Sequence, residues 1–524
     1  MDSSNIKFLL DTNIIIQSED ACIIQEKFSD FVNKCHQYSI PCFINDGSKD
    51  DINRDKNIQR KDIILSKLKK YPCLDKIDYP SKEVLAQKYG EIKKDNDLVD
   101  VQLLHCLEIN AVNFLVTEDI GIHKRVASKH ELAKRVFNIV EILDWINQTF
   151  ASKSIDLPYI QSKKCYNIDT NQPLFLTLKK DYSDFDDWFQ KCQNEHRDAW
   201  VIEKEDQIIA LIIWKQDTGE GFQRDIKNMN NLNIEDQSKV LKICTFKVSE
   251  NERGSKLGEL LLKQCLWYAA DNNFDWVYLT SFEKQDYLID FLQEYGFENI
   301  GSNDNDELIL CKQNIKQQLV LNNLTPFEFH KKFYPKYYDE ENIQKFIVPI
   351  DSKFHEKLFP EYSEKIQISL FDNNSIEDDN VSIIAGNTIR KVYVSGAQTN
   401  QPKIGDLVFF YMSKDSNYKL SQSITVVGVI SDFKKCGDLD HLLRLTGKRT
   451  VYSKTELQDY LDKSSKGLKV MDFYIAGHII NNDNNPLKLS DGNIEIPQSM
   501  AIIKANQYNK LKEKMKIIHG KHIS

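Results

Sequence analysis

Residues 6–16 read IKFLLDTNIII, an almost unbroken apolar run interrupted only at Asp11, Thr12 and Asn13. Such a run predicts a parallel strand buried on both faces that passes into a loop at its polar triplet. Polar residues at the C-terminal end of that kind of strand face the ligand crevice of an α/β sheet. Two later stretches extend the pattern. DLVDVQLLHCLEI at 97–109 predicts a helix with Asp97 and Asp100 on one face, and VNFLVT at 112–117 predicts a second buried strand ending at Glu118 and Asp119. Residues 51–70, with Ile58, Ile63, Ile64, Leu65 and Leu68 among charges, fit an amphipathic helix. Together they predict a three-layer α/β/α domain over residues 1–150. If the two strands are neighbours, Asp11, Asp97, Asp100 and Asp119 gather at one sheet edge, where mutual repulsion suggests a bound cation. Hard ions such as Mg2+ or Mn2+ prefer carboxylate oxygen and supply both the nucleophile and the charge relief that phosphodiester hydrolysis needs.

These motifs resemble PIN-domain nucleases. FLLDTNIII is similar to the family's opening strand, DLVDVQLLHCL to its acidic helix and NFLVTEDIGIHKR to its closing strand with a Thr-x-Asp ending. The resemblance implies a metal-dependent endonuclease acting on single-stranded RNA, with Asp11, Asp97, Asp100 and Asp119 as catalytic ligands of Mg2+ or Mn2+. Thr12, Asn13 and Thr117 would orient the ligands or water, and His123, Lys124 and Arg125 would meet the RNA backbone. The family's second acidic residue falls within SKDDINRD, where Asp50, Asp51 and Asp55 all qualify.

A second domain is expected over 158–315. A helix near 182–194 precedes strands 199–204 and 207–214, which a two-residue turn at Glu205 and Asp206 joins into a hairpin; a polar loop over 216–238 follows. Then LKICTFKVSENERGSKLGELLLKQCLWYAA, residues 241–270, places a strand, a short polar loop and an amphipathic helix in sequence. Backbone N–H groups at such a helix start suit a pyrophosphate. The segment resembles the GNAT acetyltransferase superfamily, whose motif is Arg/Gln-x-x-Gly-x-Gly/Ala, and WVYLTSF and FLQEYGF are similar to its closing strand and helix. The resemblance implies an α+β domain that binds acetyl-CoA. Thr245, Phe246, Lys247 and Val248 would hold the pantetheine arm, and Arg253, Gly254, Ser255, Lys256, Leu257 and Gly258 the pyrophosphate. Two departures stand out. Lys256 takes the motif's first glycine position, and Leu292 takes that of the tyrosine that often acts as general acid, with Tyr287 and Tyr295 nearby but out of place.

Residues 316–380, aromatic and proline-punctuated, read as a connector. From 381 to 524 the strands RKVYVSG, GDLVFFYMS, ITVVGVIS and MDFYIAGHI, with helices near 439–446 and 454–463, predict a small β-barrel. GDLVFFYMSKD and ITVVGVISDF resemble PUA-like domains of the ASCH or EVE type, which implies RNA binding. The candidate contacts are Tyr393, Tyr411, Arg449 and Tyr452.

The fold class expected is thus α/β multidomain. A net charge of -9 excludes a general nucleic-acid coat protein, and no apolar segment is long enough to span a membrane. The N-terminus lacks the pattern of a signal peptide and the 11 Cys contain no CxxC, so a cytoplasmic protein with reduced thiols is expected. The leading expectation is a ribonuclease, with a toxin or phage-defence role by family analogy. An acyl-CoA-dependent N-acetyltransferase using the PIN domain for docking is the alternative, and a non-enzymatic RNA-binding adaptor is a third. RNA, an acyl-CoA and a homo-oligomeric partner are the expected associations.

Overall fold

The computed structural model describes residues 6–17, 23–53, 61, 64–65, 68–74, 77–150, 159–226, 234–252, 254, 256–315, 321, 323–360, 388–397, 402–418 and 420–519. They form a mixed α/β protein with three sheets and two compact units.

The first unit gathers Met1–Ser154, Asn380–Ser382 and Lys435–Val470. Its sheet has four parallel strands in the order β2-β1-β3-β4: β1 (Phe8–Leu10), β2 (Cys42–Phe43), β3 (Phe114–Val116) and β4 (Val136–Phe137). The predicted strand at 6–16 is shorter than expected. The chain leaves β1 at Leu10 and enters helix α1 (Thr12–Gln17). An apolar run of this kind suits either element, and here Asp11 marks the change. Helix α2 (Asp95–Glu108) packs on the sheet through Val101, Leu104 and Cys106, all fully buried. Helix α3 (Ile120–Val126) follows β3, and helix α4 (Ile139–Phe150) closes the segment. The helices Leu439–Thr446 and Lys454–Lys463, expected as part of the C-terminal domain, belong to this unit. Lys448, just beyond the first, forms a 2.9 Å ion pair with buried Glu141 of α4.

The second unit comprises Ile155–Asp379, Ile383–Lys434 and Met471–Ser524. One of its sheets runs β10-β11-β9-β8-β7-β6-β5. After β5 (Ile160–Lys164), two helices stand where one was expected, α5 (Pro173–Asp181) and α6 (Phe185–Asn194), because Pro173 opens the first. The hairpin of β6 (Asp198–Lys204) and β7 (Gln207–Thr218) turns at Glu205 and Asp206, with φ of +51° and +60°. Both turn residues at positive φ match the right-handed twist of the flanking strands. β7 outruns its predicted end and is followed by helix α7 (Gly219–Arg224) rather than by loop alone. Then come β8 (Lys239–Val248), α8 (Leu257–Asp271), β9 (Trp276–Ser281), α9 (Asp286–Gln293), β10 (Glu298–Ser302) and β11 (Leu308–Gln313).

The expected connector is partly a structural member of the last sheet. After helix α10 (Pro326–Phe333), β12 (Lys345–Ile350) pairs in parallel with β14 (Leu407–Met412) along its whole length. Its apolar FIV core is too costly to leave in water. Pro349 is tolerated because the other neighbour, β17 (Ala501–Ile502), pairs only with Phe346 and Ile347. With β13 (Arg390–Ser395), β15 (Ser423–Cys436) and β16 (Leu468–Asn481), the order is β13-β16-β15-β14-β12-β17, and β18 (Met515–Ile518) also pairs with β16. Among the described residues this path does not close, so in place of the expected barrel there is an open sheet. No helix among the described residues is long and apolar enough to cross a membrane.

Candidate functional sites

In the second unit, the site is made by strands that part. β8 and β9 are parallel and pair only over Val240–Ile243 and Trp276–Leu279. Beyond that point Thr280 and Ser281 pair with β11 alone, while Thr245–Val248 stay hydrogen-bonded to β7. The segment after Ile243 is thereby no longer paired with β9. A bulge sits at the fork: Ile213 faces Thr245 and Trp214 faces Ile243, so Cys244 is the extra residue. Bulges bend a strand and increase its twist. The fork is fastened just behind its opening, where the register partners Lys242 and Tyr278 both donate to the Asp225 carboxylate, Tyr278 at 2.7 Å. Lys242 and the tyrosine hydroxyl hold that carboxylate below the usual range against its burial.

At the end of β8 the loop delivers α8. Gly254 (φ +87°) and Lys256 (φ +62°) are both left-handed, and Lys256 caps the helix. This is the physical reason for the motif's glycine preference, and here a lysine bears the strain. A Cβ added to Gly258 would lie 3.8 Å from Val248 and 3.9 Å from Phe246, ordinary contacts that explain why alanine is tolerated at this motif position. Thr245, Phe246, Lys247 and Val248 are half-buried along the fork, and the Thr245 hydroxyl donates to the Cys244 carbonyl at 2.9 Å. Leu257 is buried. Arg253 and Ser255 lie outside the described residues. Leu292 is fully buried and has no proton to give, and Tyr287 is exposed on the first turn of α9. Tyr295 is buried, its hydroxyl accepting from Arg390 Nε at 3.3 Å.

In the first unit, the carboxylates stand at the C-terminal ends of β1 and β3, where the strand order reverses and a crevice is expected. Asp11 is almost fully buried and accepts from the hydroxyls of Thr117 at 2.6 Å and Thr12 at 3.2 Å. Asn13 donates to the Thr117 hydroxyl at 3.3 Å and accepts from Glu118 N at 3.3 Å, locking the two strand ends together. Burial, opposed by Thr117 and reinforced by the Asp119 charge, pushes Asp11 up to about 6. Asp100 rises to about 7 through burial and the charges of Asp119 and Asp11. Asp11, Asp100 and Asp119 therefore feel one another's field.

The remaining predicted residues have other duties. Asp97 accepts from the backbone N–H groups of Lys93 (2.7 Å) and Lys94 (2.9 Å) at the start of α2, which holds it below its ordinary range. Arg125 donates to the carbonyls of Tyr89 and Glu91 and lies 3.5 Å from Asp97. His123 turns its Nε2 to the Thr117 carbonyl at 3.1 Å, and burial with nearby Lys448 lowers its basicity. Lys124 is half-buried. Asp50 and Asp51 lie in a helix whose side chains there are not described, and Asp55 lies outside the described residues.

A hard cation is chemically suited to relieve the repulsion among Asp11, Asp100 and Asp119. Yet among the described residues no three His, Cys, Asp or Glu side chains are placed to hold one ion. The two facts are compatible, because repulsion acts over many ångströms while ligation needs oxygens about 2 Å from a common point. Asp119 shows why: it caps α3, accepting from Gly121 N at 2.6 Å and Ile122 N at 3.2 Å. As placed, these side chains do not make a metal centre.

The expected RNA platform is divided. Tyr393 and Tyr411 belong to the second unit, while Arg449 and Tyr452 belong to the first. Tyr411 and Tyr452 are buried and present no face to a base. Tyr393 is half-buried, donating to the Pro349 carbonyl at 3.3 Å with its ring edge-on to Phe410. Arg449 is half-buried. Reasoning from sequence missed Glu141 and Glu259; the signal available was an acid flanked by apolar residues on a helix, in IVEILDW and LGELLL.

Residues 163–297 match the model of the acetyltransferase (GNAT) family. No curated protein matches the chain. Among solved structures, an ASCH mutant protein from Zymomonas mobilis is 13% identical, with 33% of this chain and 96% of that one covered at a TM-score of 0.22. A putative GNAT acetyltransferase from Desulfovibrio desulfuricans is 11% identical, covering 30% and 99% at 0.22. An IAA acetyltransferase from Bacillus cereus is 12% identical, covering 30% and 99% at 0.21. At such TM-scores none of these likenesses speaks to fold or function.

Proposed function

We propose that the second unit binds an acyl-CoA in the fork between β8 and β9 and transfers the acyl group to an amine. The observation that carries this reading is the parting of the two strands after Ile243 and Leu279, directly ahead of the left-handed turn that starts α8. The match of residues 163–297 to the GNAT model supports it. The pantetheine arm lies along Thr245–Val248 as an added strand edge, and the pyrophosphate meets the backbone N–H groups at the start of α8, where the helix dipole favours an anion. The amine attacks the thioester carbonyl, the carbon–sulfur bond breaks, and CoA leaves as a thiolate that takes its proton from a group other than Leu292. Calorimetric titration with acetyl-CoA tests the reading. Saturable heat is expected, and its absence at high ligand concentration removes it.

We propose as a second reading that the acidic crevice of the first unit cleaves RNA in the metal-dependent manner of PIN nucleases. It is favoured by the gathering of Asp11, Asp100 and Asp119 into one another's field at the strand ends, where burial first and their mutual repulsion second raise the proton affinity of Asp11 and Asp100. Asp119 would have to leave its capping role to join such a centre. With labelled RNA and Mn2+, the natural chain should cut and the Asp100→Asn chain should be slower by roughly a hundredfold. Equal cleavage by both, or by neither, counts against it.

A further inference from the structure

Helix α8 is contacted near its start, middle and end by residues of the C-terminal sheet and the segments that flank it. In its first turn, buried Glu259 accepts through one oxygen from two successive backbone groups, Ile389 N and Arg390 N, each at 3.0 Å. In its middle, Trp267 Nε1 donates to the Tyr334 hydroxyl at 2.7 Å, and the indole packs edge-on to His478. At its end, Asp271 accepts from His519 N at 3.1 Å and pairs with its Nδ1 at 2.8 Å. The same strand start that meets Glu259 also grips α9: the Arg390 guanidinium bonds Glu294 and Tyr295 and lies 5.6 Å and 5.7 Å over the rings of Tyr295 and Tyr474. Residues 389–390 thus fasten the first turn of α8 and the two residues that follow α9.

The position of Glu259 is otherwise unfavourable for the proposed ligand. An acid in the first turn stabilises a helix, but its charge opposes a pyrophosphate arriving at the same N-terminus. Here the carboxylate is turned into the protein and its charge is taken up by two N–H groups and the field of Arg390. What faces a ligand is a helix start from which this acidic charge has been turned away.

We infer that Glu259, seated on residues 389–390, is a positioning residue for acyl-CoA: the C-terminal sheet sets the angle of α8 and so the aim of the pyrophosphate-binding turn. The inference rests on the transferase reading. Glu259 thus ties the acyl-CoA site to the start of the C-terminal sheet, and by reciprocity acyl-CoA in turn tightens the joint.

The test uses the full chain with acetyl-CoA as probe, read by calorimetry and by amide hydrogen exchange over 256–262. Glu259→Ala should weaken acetyl-CoA roughly tenfold and speed exchange in that turn, because the two backbone N–H groups of residues 389–390 lose their acceptor. Glu259→Gln keeps an accepting oxygen and should restore affinity to within about threefold of the natural chain. A third variant, Arg390→Lys, which keeps a charge but loses the fork, should fall between the two. In the natural chain acetyl-CoA should slow exchange at 389–392, and in Glu259→Ala it should not. The inference is overturned if Glu259→Ala binds acetyl-CoA as the natural chain does, or if 256–262 exchange alike in both. If the natural chain takes up no acetyl-CoA, the transferase reading fails, and unchanged or faster exchange over 256–262 in Glu259→Ala separately decides the joint.

Discussion

The two candidate sites are assembled in opposite ways. The fork of the second unit comes from one contiguous stretch, β8 through β9, and its chemistry is carried by backbone groups that a bulge and a parting of strands expose. The acidic crevice of the first unit is made of side chains drawn from strand ends and a helix, and its unit draws a further segment, Lys435–Val470, from more than 280 residues downstream. A contiguous site needs only local geometry. A gathered one depends on charges that must be balanced by partners distant in sequence.

The comparison can be broken most forcefully at Lys448. Its ion pair with Glu141 lies in a nearly closed setting, the two side chains 18% and 9% exposed. Lys448→Ala leaves the acid buried without its ion-pair partner, and should destabilise the first unit by about 3 kcal/mol. Denaturant unfolding followed by exchange should show protection lost over 136–150. If stability is unchanged, the downstream segment is not integral to that unit.

The contiguous sheet also borrows support, which a pH titration would expose. Lys312 of β11 is buried, donates to the Lys332 carbonyl at 2.5 Å at the end of α10, and burial presses it down to about 7 from 10.5. Between those values the unfolded chain holds a proton that the folded chain has lost. Stability should therefore rise with pH across that window, by about 1 kcal/mol per unit, and level off below 7 and above 10.5. In Lys312→Met the slope should vanish; a slope that persists assigns it to other groups.

The smallest effect expected is at Lys256. Lys256→Gly removes the left-handed strain and should raise stability by no more than about 1 kcal/mol. Weaker acetyl-CoA binding alongside this gain would assign the lysine's charge to the pyrophosphate, sharpening the backbone account of the fork. Tighter binding would mean strain alone.

Much of this was legible beforehand. The alternation of apolar runs placed β8, α8 and β9 within a few residues, because each is bounded by its own local signals, and Glu205-Asp206 marked its hairpin for the same reason. The strand at 345–350 was hidden by its proline and by aromatic surroundings, since its partner β14 is some sixty residues away. The duties of Asp97, His123, Arg125, Tyr411 and Tyr452 were invisible because a residue type does not state which neighbour it meets.

By itself the sequence determined the order of elements, the glycine-demanding turn before α8 and the positions of the acids, all consequences of local backbone preference and hydrophobic period. Only the tertiary structure decided which acids face one another, that a C-terminal segment completes the first unit, and that Glu259 is seated on Ile389 and Arg390. Those are pairings between distant segments, and their energies depend on burial and distance that no local pattern encodes.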